Sequence, residues 1–412
     1  MTRADRRPLL GRLVPGLALD ATAQLSGVVV VSFGISIGIG IIFPLLPGFA
    51  LDLGLSLSEL GVLVSAFGLA RLVVDAAGGW IFRWMSERAA ATAGAVVVAI
   101  GSFLTVLAGE FTGLLLARIL HGIGVALFVS AGAVYIGRET PSTHRARALG
   151  LHQGGMVLGT TFGPVVAGLL DAVGGIRLPL IVAGLIGLAA IPYSLRQFPP
   201  RTSSGRAVSG GAFRVAPALR WSLAVGFLCY LLVWGVRSSV RFTLAPLFIG
   251  ESLLQSTLWV SAILAILSAG DVLGFLFGGQ LIDRFGRRRV LVVGFLLSGA
   301  VLVWWSLVGG VGQLVPVAVA FGIVGGLVGT APAAMIADIA GRRASTMTTM
   351  RLAGDAGIMI GPLVAVAAVD SVGYGSAFLW HGVAVGAAAM LAATARETRA
   401  QRGDGSFDPT AA

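Results

Sequence analysis

The sequence predicts an all-α membrane protein, with twelve transmembrane helices in two pseudo-symmetric six-helix bundles. Three observations predict it. Of 412 residues, 56% are hydrophobic and 11% charged, against roughly 25% charged in a soluble domain. No soluble core hides that much apolar sequence, so lipid must solvate much of it, and at about 20 to 25 residues per span the length fits about a dozen helices. All 29 basic residues are arginine, and they fall in short bursts between apolar runs. A nucleic-acid partner would need them gathered on one soluble face, so that class is excluded. Finally, the halves repeat: Pro44 matches Pro246, Gly79 matches Gly279, and Gly163-Pro164 matches Gly361-Pro362, at offsets of 202, 200 and 198. Such a duplication in a helical membrane chain is expected of two bundles around a midplane site.

Taken in order, residues 1–25 read as a cytoplasmic tail carrying Arg3, Arg6, Arg7 and Arg12. The apolar run behind them is too long for a signal-peptide core and lacks a clear cleavage site. The first bundle covers 26–195, with spans at 26–50, 58–82, 89–108, 111–136, 148–172 and 178–195. The stretch 196–219 is a linker, punctuated by Pro199-Pro200, Ser203-Ser204-Gly205 and Gly210-Gly211. The second bundle covers 220–394, with spans at 220–249, 256–282, 289–309, 312–337, 346–369 and 373–394, and 395–412 is a second tail. The tails and alternate loops hold 23 arginines, while the opposite loops hold only Arg177. That bias puts both termini in the cytoplasm of a multi-pass membrane protein. The single Cys229 lies inside a span, which leaves no disulfide framework and no thiol metal site.

In the second half, Gly279-Gln280-Leu281-Ile282-Asp283-Arg284-Phe285-Gly286-Arg287-Arg288 joins two apolar runs through a tight basic turn. Gly279 is expected to let two helices approach closely, Asp283 to accept from a neighbouring helix N-terminus or arginine, and Gly286 to permit the sharp turn. This G-x-x-x-D-R-x-G-R-R spacing, with Arg284 and Arg287 in place, resembles the loop between helices 2 and 3, or 8 and 9, of the major facilitator superfamily of secondary transporters. The resemblance covers essentially the whole chain. Phe43-Pro44-Leu45-Leu46-Pro47 is similar to the family's opening segment. Arg118-Ile119-Leu120-His121-Gly122-Ile123-Gly124 resembles R-x-x-Q-G-x-G, with His121 for Gln. Gly155, Gly159, Gly163-Pro164 and Ala167-Gly168 resemble G-x-x-x-G-x-x-x-G-P-x-x-G-G, with Ala167 at the penultimate glycine. Gly357 and Gly361-Pro362 stand at the corresponding place in the second half. These glycines fit close helix packing, and each Gly-Pro pair fits a packing kink or a gating hinge. The first-half loop, Gly79 to Arg88, departs from the pattern: Arg83 stands where the family has Asp, and Ser86 replaces the turn glycine.

Ionisable groups inside spans are costly and are therefore candidates for function. Arg71 and Asp75 lie one turn apart in span 2, and Arg351 and Asp355 repeat that spacing in span 11. Each pair reads either as self-neutralising or as exchanging partners between conformations. Asp271, in span 8, has no charged neighbour in its own helix, so its partner must come from elsewhere or it must be protonated. Arg71 and Asp271 occupy equivalent places in the two halves, which makes them a candidate gate. Arginine cannot titrate usefully, so proton coupling falls to Asp75, Asp271, Asp355 and the histidines, with Asp271 and Asp355 first. The resemblance links Arg118 to proton movement, and His121 reads as its neighbour or as a packing histidine. Arg237 and Arg241 sit one turn apart in span 7, placed to attract an anionic solute, to snorkel to the interface, or to pair with a carboxylate such as Glu251. Phe33, Phe43, Phe128, Trp234, Trp259, Trp380 and His381 are candidates to line a cavity, beside the reading of helix packing or interface anchoring.

Enzyme signals are absent. A P-loop needs lysine, and no H-E-x-x-H metal spacing or nucleophile elbow occurs in context. The resemblance implies alternating access in the cell membrane by a monomer with no cofactor and no metal. It implies a small-molecule substrate, protons as the coupling ion, and export of an amphipathic drug or metabolite, since the span-5 motif is associated with such exporters. Transport of an organic anion such as a carboxylate stands second. A membrane sensor or scaffold without turnover stands third.

Overall fold

The computed structural model describes residues 19–140, 142–198, 215–340 and 344–398. Most of the expected tails and the middle of the expected linker, with their arginines, lie outside the described residues. Those that are described are helical, and no strand occurs among them. Among the described residues, eleven helices are long and apolar enough to cross a membrane. They are α1 (Leu19–Asp52), α2 (Leu57–Trp84), α3 (Glu87–Leu107), α4 (Phe111–Glu139), α5 (Ser142–Gly174), α6 (Arg177–Gln197), α7 (Arg220–Ser239), α8 (Thr257–Phe285), α9 (Arg287–Ser306), α10 (Val311–Ala340) and α11 (Ala344–Ala393). Two features differ from the simple pattern. Beyond α7 the chain runs on through two π-helical turns, Val240–Leu244 and Phe248–Ser252, on either side of Ala245–Leu247, which carries Pro246. Proline lacks the N–H that a helix interior needs, and wider turns absorb that loss. The two last expected spans form one element, α11, broken at Gly373, whose φ of 77° and ψ of 172° interrupt the helix. A single glycine can make that break because it carries no Cβ to clash.

The chain divides into two compact units. One comprises 1–45 and 73–207, the other 46–72 and 208–412. In the first, α3 packs on α4 and α6. Gly94 and Gly124 face each other there, so a Cβ on either would meet the other's carbonyl. Phe198 closes that core edge-on to Phe128 and Tyr135. In the second, α8 packs on α10, and α11 on α7 and α9. Gly270 and Gly274 lie against Gly322 and Gly326. The buried ring of Trp305 stacks on Phe378 at 5.1 Å and meets Phe321 edge-on at 5.8 Å. Between helices already in lipid, tight packing through small residues is the main attraction.

Candidate functional site

The second unit buries an ion cluster. Asp271 of α8 is 2% exposed. Arg237, in the last turn of α7, grips it with two parallel bonds, Nη1 to Oδ1 at 2.6 Å and Nη2 to Oδ2 at 2.9 Å. Arg241, in the first π turn, adds Nη1 to Oδ2 at 2.8 Å and also donates to Ser268 Oγ. The Arg237 guanidinium lies 5.5 Å from the ring centres of both Trp234 and Phe275. Gly325 of α10 leaves room for the pair, since a Cβ there would stand 3.1 Å from Arg237 Nη1. The partner that Asp271 required comes from another helix, as its isolation demanded. Arg71 is not that partner, so the expected Arg71–Asp271 gate is replaced by two separate clusters. Nor do Arg237 and Arg241 snorkel: both converge on the buried carboxylate. A void of about 20 Å³ beside Arg237, walled by Val233, Ser298 and Phe321 among others, is of water size and too small for an organic solute.

A second cluster joins α2 to α11. Arg71 reaches Asp355, 2% exposed, with Nε and Nη2 both 2.9 Å from Oδ1. The two helices come close at Gly68, where a Cβ would lie 2.6 Å from the Met359 nitrogen. The Arg71 guanidinium also lies 5.6 Å from the Phe67 ring centre. Arg351, half-buried, precedes Asp355 by one turn. Tyr230 of α7 sits in the field of Asp355, Arg351 and Arg71, and its ring is 6.2 Å from that of Trp234.

The first unit holds the remaining candidates. Buried Asp75 accepts from Ser130 Oγ at 2.9 Å. Arg118, 1% exposed, lies 5.5 Å from the centre of the Phe43 ring. His121 shares a 2.9 Å hydrogen bond with Ser102, and His152 one of 3.0 Å with Ser32. In the other unit, His381 Nδ1 meets the Ala377 carbonyl at 2.8 Å.

The aromatic candidates separate. Phe128 is fully buried against Phe198 and cannot line a cavity. Phe33 packs edge-on to Phe162 at 6.3 Å. Trp380 is 59% exposed among the exposed apolar side chains of α11, as a lipid-facing ring would be. Trp234 alone stands beside an ion cluster with part of its ring open.

The glycines of the matched motifs are contact points. A Cβ on Gly163 would collide with Gly40 backbone of α1, and one on Gly159 with Phe33 and Ser36. Gly357 and Gly361 meet Gly235 of α7 in the same way. Pro164 and Pro362 lie inside α5 and α11 without a break beside them.

The basic turn between α8 and α9 corrects one expectation and bears out another in part. Nothing lies within 4 Å of a Cβ built on Gly279, whereas one on Gly278 meets Thr330 and Leu327 of α10. Gly278 is therefore the close-approach residue, because it faces the neighbouring helix. Asp283, 77% exposed, pairs with an arginine as expected, Arg287 at 3.5 Å. The acceptor at the α9 N-terminus is instead Glu397, taking the N–H groups of Arg287 at 2.8 Å and Arg288 at 3.1 Å. Arg287 bonds Asp338 of α10 at 2.8 Å, and Arg284 covers the Phe285 ring at 5.4 Å. Gly286 turns the chain at a φ of 89°. Glu397 and Asp338 were missed because they lie 110 and 51 residues from Arg287. The only local signal was a carboxylate beside a span end. In the first-half turn, Ser86 caps α3 by accepting from the Ala89 N–H at 3.1 Å, with an ordinary φ of −72°. No turn glycine is needed there.

Paired charges held inside long apolar helices define an integral, multi-pass membrane protein. A family model described as the Major Facilitator Superfamily matches residues 28–227 and 226–409. The chain belongs to that family: it is a transporter of a small-molecule substrate, and not an enzyme. It is 24% identical over 291 residues to quinolone resistance protein NorA of Staphylococcus aureus (strain MSSA476), covering 70% of this chain and 72% of that protein. It is 25% identical over 291 residues to multidrug resistance protein 2 of Bacillus subtilis (strain 168), covering 66% and 70%. Among solved structures, a bacterial homolog of the human lysosomal transporter Spinster, inward-facing and unoccupied, superposes with a TM-score of 0.70 at 16% identity, over 91% of this chain and 95% of that one. A POT family transporter in complex with 5-aminolevulinic acid gives 0.75 at 14% identity, over 90% and 95%. At such identities the likeness is one of fold.

Proposed function

We propose that this chain works by alternating access and couples proton entry to efflux of a small amphipathic organic compound. The observation that carries the reading is the set of three buried aspartates inside apolar helices, each held by a side chain of another helix. Relatives named for quinolone and multidrug resistance support the direction and the substrate class. The chain crosses the cell membrane twelve times, with the Gly373 break separating the last two crossings, and both termini are cytoplasmic. The two bundles are 26–195 and 220–394, and Gly279, Asp283, Arg284, Gly286 and Arg287 belong to a loop that takes part in the conformational cycle.

Of the titratable groups, one of the three buried carboxylates Asp75, Asp271 and Asp355 is the proton carrier. Asp271 is tied by two guanidinium groups and Asp355 by two bonds from Arg71. Asp75 accepts from Ser130 Oγ at 2.9 Å, and neutralising each carboxylate in turn identifies the carrier. Arg118 and His121 belong to the surroundings of the proton step. In vesicles holding the purified chain, a panel of dyes, drugs and carboxylates should be tested with and without an imposed pH gradient. Efflux predicts solute movement opposite to proton movement. Flux in the same direction supports the second reading, organic-anion symport, which is favoured by five arginines against three buried aspartates inside the spans. Binding without any flux makes the chain a sensor and overturns both.

A further inference from the structure

The void beside Arg237 is space that the ion cluster leaves unfilled. It lies inside the second unit, where α7, α9, α10 and α11 meet, and Arg237, Phe295, Ser298, Val328 and Val385 are among its walls. Its volume of about 20 Å³ exceeds the ~10 to 15 Å³ that one water needs. A particle slightly larger than water fits there, and an organic carboxylate does not.

Two polar side chains border the void, and both keep a hydrogen-bond donor free. Arg237, 7% exposed, gives one N–H from each terminal nitrogen to Asp271, and its Nε–H makes no hydrogen bond among the described residues. Ser298, 8% exposed, makes none among them either. The other walls are apolar side chains and Gly325. A buried donor without an acceptor costs free energy, and here two such donors, from α7 and α9, border one small space.

Charge decides what that space holds. Arg237 and Arg241 both bond to Asp271. Among the described residues neither pairs with another carboxylate, nor Asp271 with another cation. Two guanidinium groups therefore share one carboxylate, and one positive charge is left over in apolar surroundings, where an uncompensated charge is costly. A water molecule would accept from the donors and leave that charge in place. A monatomic anion accepts from N–H and O–H groups alike, brings the missing negative charge, and is attracted more strongly here than in water.

We propose that this void binds one chloride ion, held between Arg237 of α7 and Ser298 of α9. The ion balances the cluster and ties the two helices together at the centre of the second unit. The site is distinct from any solute the chain carries, and it rests neither on the direction of transport nor on its coupling.

The test follows the thermal midpoint of the purified full chain in detergent while sodium gluconate is exchanged for sodium chloride at constant ionic strength. Gluconate is too large for the void. The midpoint should rise saturably with chloride, as it does for a ligand that binds only the folded chain, and bromide should replace chloride. Ser298→Ala removes one charge-assisted hydrogen bond and should weaken the apparent chloride affinity about tenfold. Val385→Ile keeps both donors, fills part of the void, and should weaken it as well. Size-exclusion profiles identify a variant that misfolds, and anomalous scattering from bromide beside Arg237 in crystals of the parent chain gives a reading that needs no variant. A midpoint indifferent to the exchange leaves only water in the void and overturns the site. So does a chloride dependence unchanged in both Ser298→Ala and Val385→Ile, or bromide found only away from Arg237, since either places the ion elsewhere.

Discussion

At the scale of residues, the buried charges and the glycines that touch backbone bear most of the constraint. Asp271 is the carboxylate partner of two guanidinium groups, so Asp271→Asn leaves both without their counter-charge. A loss of about 3 to 5 kcal/mol is expected, the cost of breaking a buried pair from one side, read as a lower thermal midpoint in detergent. Gly322 and Gly279 make a sharper contrast. A Cβ at Gly322 would run into the Leu267 carbonyl and the Asp271 nitrogen, which are backbone and cannot move aside, whereas one at Gly279 meets nothing. Gly322→Ala should therefore cost about 1 to 3 kcal/mol through overpacking. Gly279→Ala should be neutral or gain up to about 1 kcal/mol from helix propensity. An equal effect of the two would contradict the assignment of contacts. The intramembrane charges were visible in the sequence because apolar runs make any charge conspicuous. Their partners were not, because Arg71–Asp355 and Arg237–Asp271 join residues 284 and 34 positions apart, and helical periodicity relates only neighbours within a turn or two. The same limit led the sequence to Gly279 rather than Gly278: a one-residue step turns a helix position by about 100°, and hydropathy does not say which face meets α10.

At the scale of elements, the two basic turns show how different residues reach one geometry. After α8 the chain reverses at Gly286, with Glu397 capping α9 from a distance. After α2 it reverses at ordinary φ, with Ser86 capping α3 locally. Glu397→Gln removes the negative charge from the α9 N-terminus and should cost about 0.5 to 1 kcal/mol, and Ser86→Ala should cost about 1 kcal/mol. Both are measurable as shifts in the denaturation midpoint. Gly286→Ala should cost more than either of these, since a Cβ there meets both an unfavourable φ and the Glu397 carboxylate. The element boundaries themselves were legible to within a few residues, because lipid demands long apolar runs and arginines mark their ends. The π turns after α7 were not legible. Pro246 signals a disturbed helix but not which way the backbone relaxes. Nor does Gly373, within Asp370-Ser371-Val372-Gly373-Tyr374-Gly375-Ser376, distinguish a loop from a break in one helix.

At the scale of the whole molecule, each unit buries ionisable groups inside apolar helices. The duplicated landmarks mark helix contacts in both halves: Gly163 lies against Gly40, and Gly361 against Gly235. Which carboxylate carries the proton in the proposed coupling was not readable, because all three lie in similar apolar sequence and differ only in what faces them. The most direct measurement follows solute and proton movement together in vesicles, for the parent chain and for Asp75→Asn, Asp271→Asn and Asp355→Asn. The parent should move solute against protons. One of the three variants should lose at least about tenfold of the pH-driven flux while solute-for-solute exchange across the same vesicles persists. Full pH-driven flux in all three, or its loss only together with exchange, would contradict a buried carboxylate as the proton carrier.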